Sequence, residues 1–240
     1  MNASSVTPTH QNYIDGSERP AASGATFDKI SPRDGRVLAR VARSGVEDVS
    51  DAVAAAARAF RGWASLPGVQ RGAMLHQLVR LMQDRQAELA TVVSAETGKS
   101  VKDAAGEAAG ATALGLFFAG EGQRMYGRTT TSSVAGRRAL TIRQPIGVAG
   151  LIVPANTPIA NVAWKTFPAL VCGNTVVLKS AEDTPGTAAL FASMAADAGL
   201  PAGVLNVVHG FGREAGAALV EDARVGIISF TGSTAVGREI

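Results

Sequence analysis

The sequence is short of the residues that build cross-links and metal centres. It has one cysteine, Cys172, so no intrachain disulfide can form, and a reducing, cytoplasmic setting is the simplest expectation. Its three histidines, His10, His76 and His209, are scattered, and with a single thiol they form no metal-ligand pattern, so no metal is expected. Charged residues make up only 18% of the chain, and the net charge is +3 with Lys and Arg dispersed. A basic patch for nucleic acid is therefore not expected. Long apolar runs are missing as well. Each is broken by Gly, Pro, Lys or Asn before membrane-spanning length, and the polar N-terminus "MNASSVTPTHQNYIDGSERP" lacks the basic and apolar regions of a signal peptide.

What is present is an apolar, glycine-rich chain: 46% hydrophobic residues and 27 glycines in 240 residues, enough for one large or two small domains. Asp-Gly turns in "QNYIDGSERP" and "TFDKISPRDGRVLARVA" predict short strands or hairpins in residues 11 to 43. From Glu47 the periodicity becomes helical. Val49, Ala52, Val53, Ala56 and Phe60 share one face. Met74, Leu75, Leu78, Leu81 and Met82 continue a helix that Gly98 should stop, and another long helix is expected to end near Gly127. A Thr/Ser/Gly stretch leads into "RRALTIRQPIGVAGLIVP", read as one exposed and one buried strand. Then "VAGLIVP", "TVVLKSA", "VLNVVHG" and "VGIISFTG" alternate with helices near 158 to 172, 186 to 198 and 213 to 221. This alternation predicts an α/β, Rossmann-like open parallel sheet with helices on both faces.

Ligands of such sheets bind beyond the carboxyl ends of the strands. Here those ends run into "PANTP", "KSAED", "HGFGREAG" and "TGSTAVG". The third formally matches G-x-G-x-x-G/A through Gly210, Gly212 and Ala215, and the fourth offers backbone amides of Gly232, Ser233 and Thr234 at a helix start. A plain tight turn and an ordinary Ser cap explain them equally well, and the residues leave open which turn would hold phosphates. Lys179 and Glu182 can be ribose-binding groups or a solvated pair, and Asn156 an oxyanion donor or a turn residue. Cys172, in the apolar "FPALVCGNTVV", is expected to be buried and inert; a nucleophilic role is the rival reading.

Taken together, "GVAGLIVPANTPIANVAWKTFPALVCGNTVVLKSAEDTP", "GLPAGVLNVVHGFGREAG" and "ISFTGSTAVGREI", with "SPRDGRVLARV", "AFRGWASLP" and "ETGK" before them, resemble the NAD(P)-dependent aldehyde dehydrogenase superfamily. The resemblance implies NAD as cofactor, with NADP as the alternative. It assigns Gly232, Ser233 and Val236 to the pyrophosphate, Gly212 and Gly216 to the adenosine half, and Lys179 and Glu182 to the adenosine ribose. Val153, Pro154, Ala155, Ala181, Phe230 and Thr231 join the cofactor-binding set. Asn156 becomes the oxyanion-hole donor and Lys165 a relay or orienting residue near it. It also implies a homodimer or homotetramer and a small aldehyde substrate.

The same resemblance divides the chain into an N-terminal part of the cofactor domain (1–126), a projecting oligomerisation strand segment (127–145) whose partner strand lies outside the sequence, and a Rossmann-like part (146–240). Two departures stand out: Ala155 and Thr157 where the family often has Trp and Phe around the asparagine, and Glu239 where an apolar residue commonly faces the adenine. The family's nucleophilic Cys and general-base Glu follow G-S-T-x-x-G, beyond Ile240. The chain is therefore expected to be the cofactor-binding portion of a longer enzyme, inactive alone. The competing expectation is a non-catalytic nucleotide-binding or interaction module complete at 240 residues.

Overall fold

A computed structural model describes residues 7–240. The chain begins with β1 (Thr9–His10), β2 (Asn12–Ile14), β3 (Ser17–Arg19), β4 (Thr26–Ile30) and β5 (Val37–Ala42). The β2–β3 turn is Asp15-Gly16, with φ of 54° and 78°. Two successive positive φ values suit the right-handed twist of a tight hairpin, and Asp-Gly tolerates them best. β4 and β5 form a second hairpin, and β1 lies parallel to β5.

Four helices follow: α1 (Val46–Ser65), α2 (Gly68–Asp84), α3 (Gln86–Thr97) and α4 (Val101–Glu121). The expected helical faces are buried in α1 and α2. The single helix expected over the region of α2 and α3 is instead broken at Arg85, where φ is −103° and ψ 20°. No helix breaker stands there. Arg85 is tied to Glu88 at 2.7 Å and to Asp197 at 3.3 Å, and the break lets α3 pack on α4 and on the later helix that carries Asp197. Gly98 ends α3 with φ 76°, as expected of a left-handed cap. α4 stops at Glu121, short of Gly127, because Gly122 packs backbone-to-backbone against Gly68 and Gly72 at the start of α2.

β6 (Thr129–Thr131) and β7 (Arg138–Leu140) pair antiparallel with each other and are wholly exposed. Residues 132–137 turn the chain back between them.

The remainder alternates as expected: β8 (Val148–Ile152), α5 (Pro158–Val171), β9 (Thr175–Lys179), α6 (Pro185–Asp197), β10 (Leu205–Val208), a π-type turn at Gly212–Gly216 running into α7 (Ala217–Glu221), β11 (Val225–Phe230) and α8 (Thr234–Glu239). The main sheet has the order β11-β8-β9-β10-β2-β3. Its four β8–β11 strands are parallel, and the β2–β3 hairpin extends it antiparallel beyond β10. β8, β9 and β10 are buried on both faces, which is why they read as unbroken apolar runs. Their side chains alternate between two cores. Ala149, Leu151, Val176, Leu178, Leu205 and Val207 pack with α2 to α6, whereas Val148, Ile152, Val177 and Val208 pack with α1 and α7. The sheet is thus covered by helices on both faces, a Rossmann-like α/β arrangement.

Candidate functional site

The register of the parallel strands places their ends in one row. Phe230 lies opposite Ile152, Ile152 opposite Lys179, and Lys179 opposite Val208. At about 4.8 Å between neighbours, the four following turns open from an edge about 14 Å across.

The turn after β9 carries the most unusual side chain. Lys179 is 2% exposed, and its Nζ donates to Glu182 Oε2 at 3.2 Å. Burial pushes the ammonium pKa down, and the Glu182 carboxylate opposes that shift. An ammonium has three donors, and among the described residues Glu182 is the single acceptor Lys179 finds; two donors therefore remain for a ligand. Ala181 is buried between them in sequence, and Glu182 is half-exposed.

After β8, Val153 is buried, Pro154 and Ala155 are half-buried, and Asn156 is exposed at the entry to α5. Pro158 opens that helix, where its missing N–H leaves no intrahelical bond unmade. Lys99 Nζ donates to Asn156 O at 2.9 Å and to Glu107 Oε2 at 2.6 Å. Glu107 Oε1 accepts from Ala160 N at 3.3 Å. Asn161 Nδ2 donates to Thr157 O and Oγ1 at 2.9 and 2.7 Å.

After β10, His209 is fully buried and shares a 2.8 Å hydrogen bond with Ser180 Oγ. Gly210 has φ 130°, and a Cβ there would lie 3.1 Å from the Ser44 backbone. Gly212 is exposed and Gly216 buried, and neither faces a neighbour that a Cβ would strike. A concavity of about 450 Å³ opens beside this turn, lined among others by Arg43, Ser44, Arg213 and Glu214. None of Asn156, Lys179, Glu182 or Ser233 lines it.

After β11, Phe230 is half-buried, and Thr231, Gly232 and Ser233 are exposed. Thr231 N donates to Ile152 O at 3.2 Å, tying this turn to the β8 end. Ser233 Oγ accepts from Val236 N at 3.3 Å and caps α8, which is exposed along its whole length, Glu239 included.

Lys165 is 9% exposed, and its Nζ donates to Ser229 Oγ at 2.8 Å on β11; burial pushes its pKa down. Cys172, expected to be buried, is exposed, because it caps the carboxyl end of α5 with its side chain off the sheet. The crowding that remains around it still pushes the thiol pKa up, against Arg71 and Arg143. α5 has fourteen residues, so Cys172 and Asn156 lie roughly 20 Å apart along its axis. Among the described residues no group of three His, Cys, Asp or Glu side chains is placed to hold a metal ion, and no helix is long and apolar enough to cross a membrane.

Sequence reasoning missed the supports beneath the row. Glu96 is 6% exposed and accepts from Gly186 N, Thr187 N and Thr187 Oγ1 at 2.6 to 2.8 Å, anchoring the start of α6 just after the Lys179–Glu182 turn. Glu96 and Lys99 both stand in "ETGK", whose only sequence signal was resemblance, and Glu107 stands in the small-residue stretch "AAGEAAGAT" of α4.

The family model described as the aldehyde dehydrogenase family matches residues 19–240. The chain is 39% identical over 230 residues to the mitochondrial succinate-semialdehyde dehydrogenase of Oryza sativa subsp. japonica, covering 96% of the chain and 44% of that protein. Among solved structures it superposes on an NAD-dependent aldehyde dehydrogenase from Sinorhizobium meliloti with TM-score 0.94 and 38% identity, covering 98% of the chain and 47% of its counterpart. An NADP-dependent enzyme of E. coli matches with TM-score 0.95 and 38% identity, covering 100% and 50%. The chain thus spans about half the length of the relatives it matches. With the sheet, the row of turns and the sequence likeness all in agreement, the chain belongs to the aldehyde dehydrogenase family.

Proposed function

We propose that the chain is the cofactor-binding half of an NAD(P)-dependent aldehyde dehydrogenase. The observation that carries this reading is the buried Lys179 ammonium with donors to spare, beside Glu182, at the centre of an in-register row of strand ends. Lys179 and Glu182 together would donate to and accept from two ribose hydroxyls. A half-exposed carboxylate repels a 2′-phosphate, which favours NAD over NADP. Gly232, Ser233 and Val236 would lie along the pyrophosphate, where Ser233 Oγ already orients the first turn of α8. Gly212 and Gly216 would flank the adenosine half, and Val153, Pro154, Ala155, Ala181, Phe230 and Thr231 would line the path between.

The bound nicotinamide supplies the hydride acceptor for aldehyde oxidation. Asn156 would donate its side-chain amide to the oxyanion that forms when a thiolate adds to the aldehyde. Cys172 would not be that thiolate: it stands at the opposite end of α5, where burial pushes its pKa up. Lys165 would orient the β11 end through Ser229. The wholly exposed β6–β7 hairpin supports a role in homo-oligomer assembly, and the free thiol a cytoplasmic setting.

Calorimetric titration of the chain with NAD and NADP tests the reading. NAD should bind more tightly than NADP. Lys179→Met and Glu182→Gln should each weaken NAD, since charge-assisted hydrogen bonds contribute about 1.5–3 kcal/mol, roughly ten- to a hundredfold in affinity. Equal NAD affinity in wild type and both variants would remove the assignment.

A further inference from the structure

Asn156 is held at its backbone carbonyl, and the helix that follows it is held at Ala160, while the Asn156 side chain, among the described residues, makes no hydrogen bond. Lys99, fifty-seven residues upstream, fixes the Asn156 carbonyl. Glu107 holds Lys99 with one carboxylate oxygen and the Ala160 amide, in the first turn of α5, with the other. The Glu107 side chain is 6% exposed and that of Lys99 21%. Such a shielded pair holds its geometry better than a surface ion pair does. Asn161 secures Thr157 between them.

We propose that Lys99 and Glu107 are positioning residues that aim the Asn156 side-chain amide by clamping its backbone to α4 and to the head of α5. The proposal rests on the aldehyde dehydrogenase reading above. An oxyanion donor contributes only if it is fixed before charge develops, because reorienting it during the reaction consumes the stabilisation it would give. An exposed asparagine on a turn is not fixed by packing. Here the carbonyl is fastened to Lys99, and Lys99 and the Ala160 helix amide are both fastened to the Glu107 carboxylate, so the Asn156 backbone is tied to the head of α5 while its side-chain amide stays free for the substrate. Lys99 and Glu107 touch no substrate in this account; they act through Asn156.

The test is steady-state kinetics of the full-length enzyme carrying Lys99→Met, Lys99→Arg or Glu107→Gln, with NAD and with acetaldehyde, benzaldehyde and succinate semialdehyde as probes. Lys99→Met and Glu107→Gln should lower kcat roughly ten- to a hundredfold, the scale of misplacing a reacting group. The KM and Kd for NAD should stay within about twofold, because the Lys179–Glu182 turn is untouched. Lys99→Arg, which keeps a charged donor for both oxygens, should recover most of the loss. Glu107→Gln keeps the side-chain volume and covers the case in which Lys99→Met fails to fold. Amide hydrogen exchange should also quicken at residues 156–160 in the two damaging variants.

Unchanged kcat in Glu107→Gln would overturn the proposal. A fall in kcat matched by equal losses of NAD affinity and melting temperature, without rescue by Arg, would also overturn it and leave a purely structural pair. A wild-type enzyme that oxidises none of the three aldehydes would instead count against the proposed NAD-dependent aldehyde oxidation on which this inference rests.

Discussion

Two buried titratable residues near the strand ends show how position governs chemistry. Burial pulls the Lys179 pKa down and the neighbouring Glu182 carboxylate opposes it, and the unused donors are the reason it is useful to a ligand. His209 has no such partner. It is fully buried, its Nε2 finds no acceptor among the described residues, and His10 and Lys179 add repulsion, so its pKa falls to about 3. In the unfolded chain the ring should titrate near its ordinary value of about 6.5. Between those values the unfolded state binds the extra proton, so this contribution to stability is complete above pH 6.5 and declines as the pH falls. The slope from one such proton is about 1.4 kcal/mol per pH unit. Urea melts of wild type and His209→Gln between pH 7 and pH 4.5 should show the steeper decline in wild type; parallel slopes would mean the ring is not buried neutral. Cys172 gives the second residue-scale expectation. Absorbance assays of the 240-residue chain with NAD and the same three aldehydes should show no turnover, and Cys172→Ala should bind NAD as wild type does. Turnover that Cys172→Ala abolishes would make this thiol a nucleophile after all.

Among the elements, α4 is the support on which the rest is mounted. It packs against α2, α3 and α5, and it carries Glu107. Its start is set by Ser100, whose Oγ accepts from Asp103 N at 3.1 Å while donating to Asp103 Oδ2 at 2.7 Å. Ser100→Ala should cost about 1 kcal/mol, read as a lower thermal midpoint. Its contact with α5 is closest at Gly115, where a Cβ would lie 2.7 Å from Phe167 Cζ and 3.0 Å from Val79 Cγ2. Phe167 is fully buried. Gly115→Ala should therefore destabilise by about 1–3 kcal/mol, whereas Gly110→Ala on the same helix, where a Cβ meets nothing within 4 Å, should be stabilising or neutral. A Gly115→Ala melt that matches wild type would show that the two helices can separate.

For the molecule as a whole, the uncovered surface is as telling as the core. β11 is an edge strand with Ile227 40% exposed, and Trp164 on α5 and Phe117 on α4 are 62% and 58% exposed. Apolar surface left in water forgoes about 25 cal/mol per Å², and exposed aromatic surface of this kind favours association. The isolated chain should self-associate at micromolar concentrations, and Trp164→Glu should shift it toward the monomer in size-exclusion chromatography with light scattering. A monodisperse wild-type monomer at high concentration would show that these faces tolerate water.

What the sequence determined by itself follows from local physics. Strand and helix periods marked β8 to β11 and the helices between them, Asp15-Gly16 supplied a hairpin, and Gly98 supplied a left-handed stop. Each of these is decided within a few residues, by backbone sterics or by which side chains share a face. The motifs after the strands were legible for the same reason, since a parallel sheet delivers its strand ends to one edge whatever lies between. Tertiary structure decided the rest. The helix break at Arg85 accompanies the packing of α3 on α4 and α6, elements that come later in the chain. The first hairpin joins the main sheet only because β10 offers it an edge. Lys165 meets Ser229 on a distant strand, and Cys172 is exposed although its neighbours in sequence are apolar. Lys99 and Glu107 reach Asn156 only after α4 has packed on α5. A periodic pattern states which face of an element is buried, but not against what, and hydrogen bonds between distant residues exist only once the packing has set their distance.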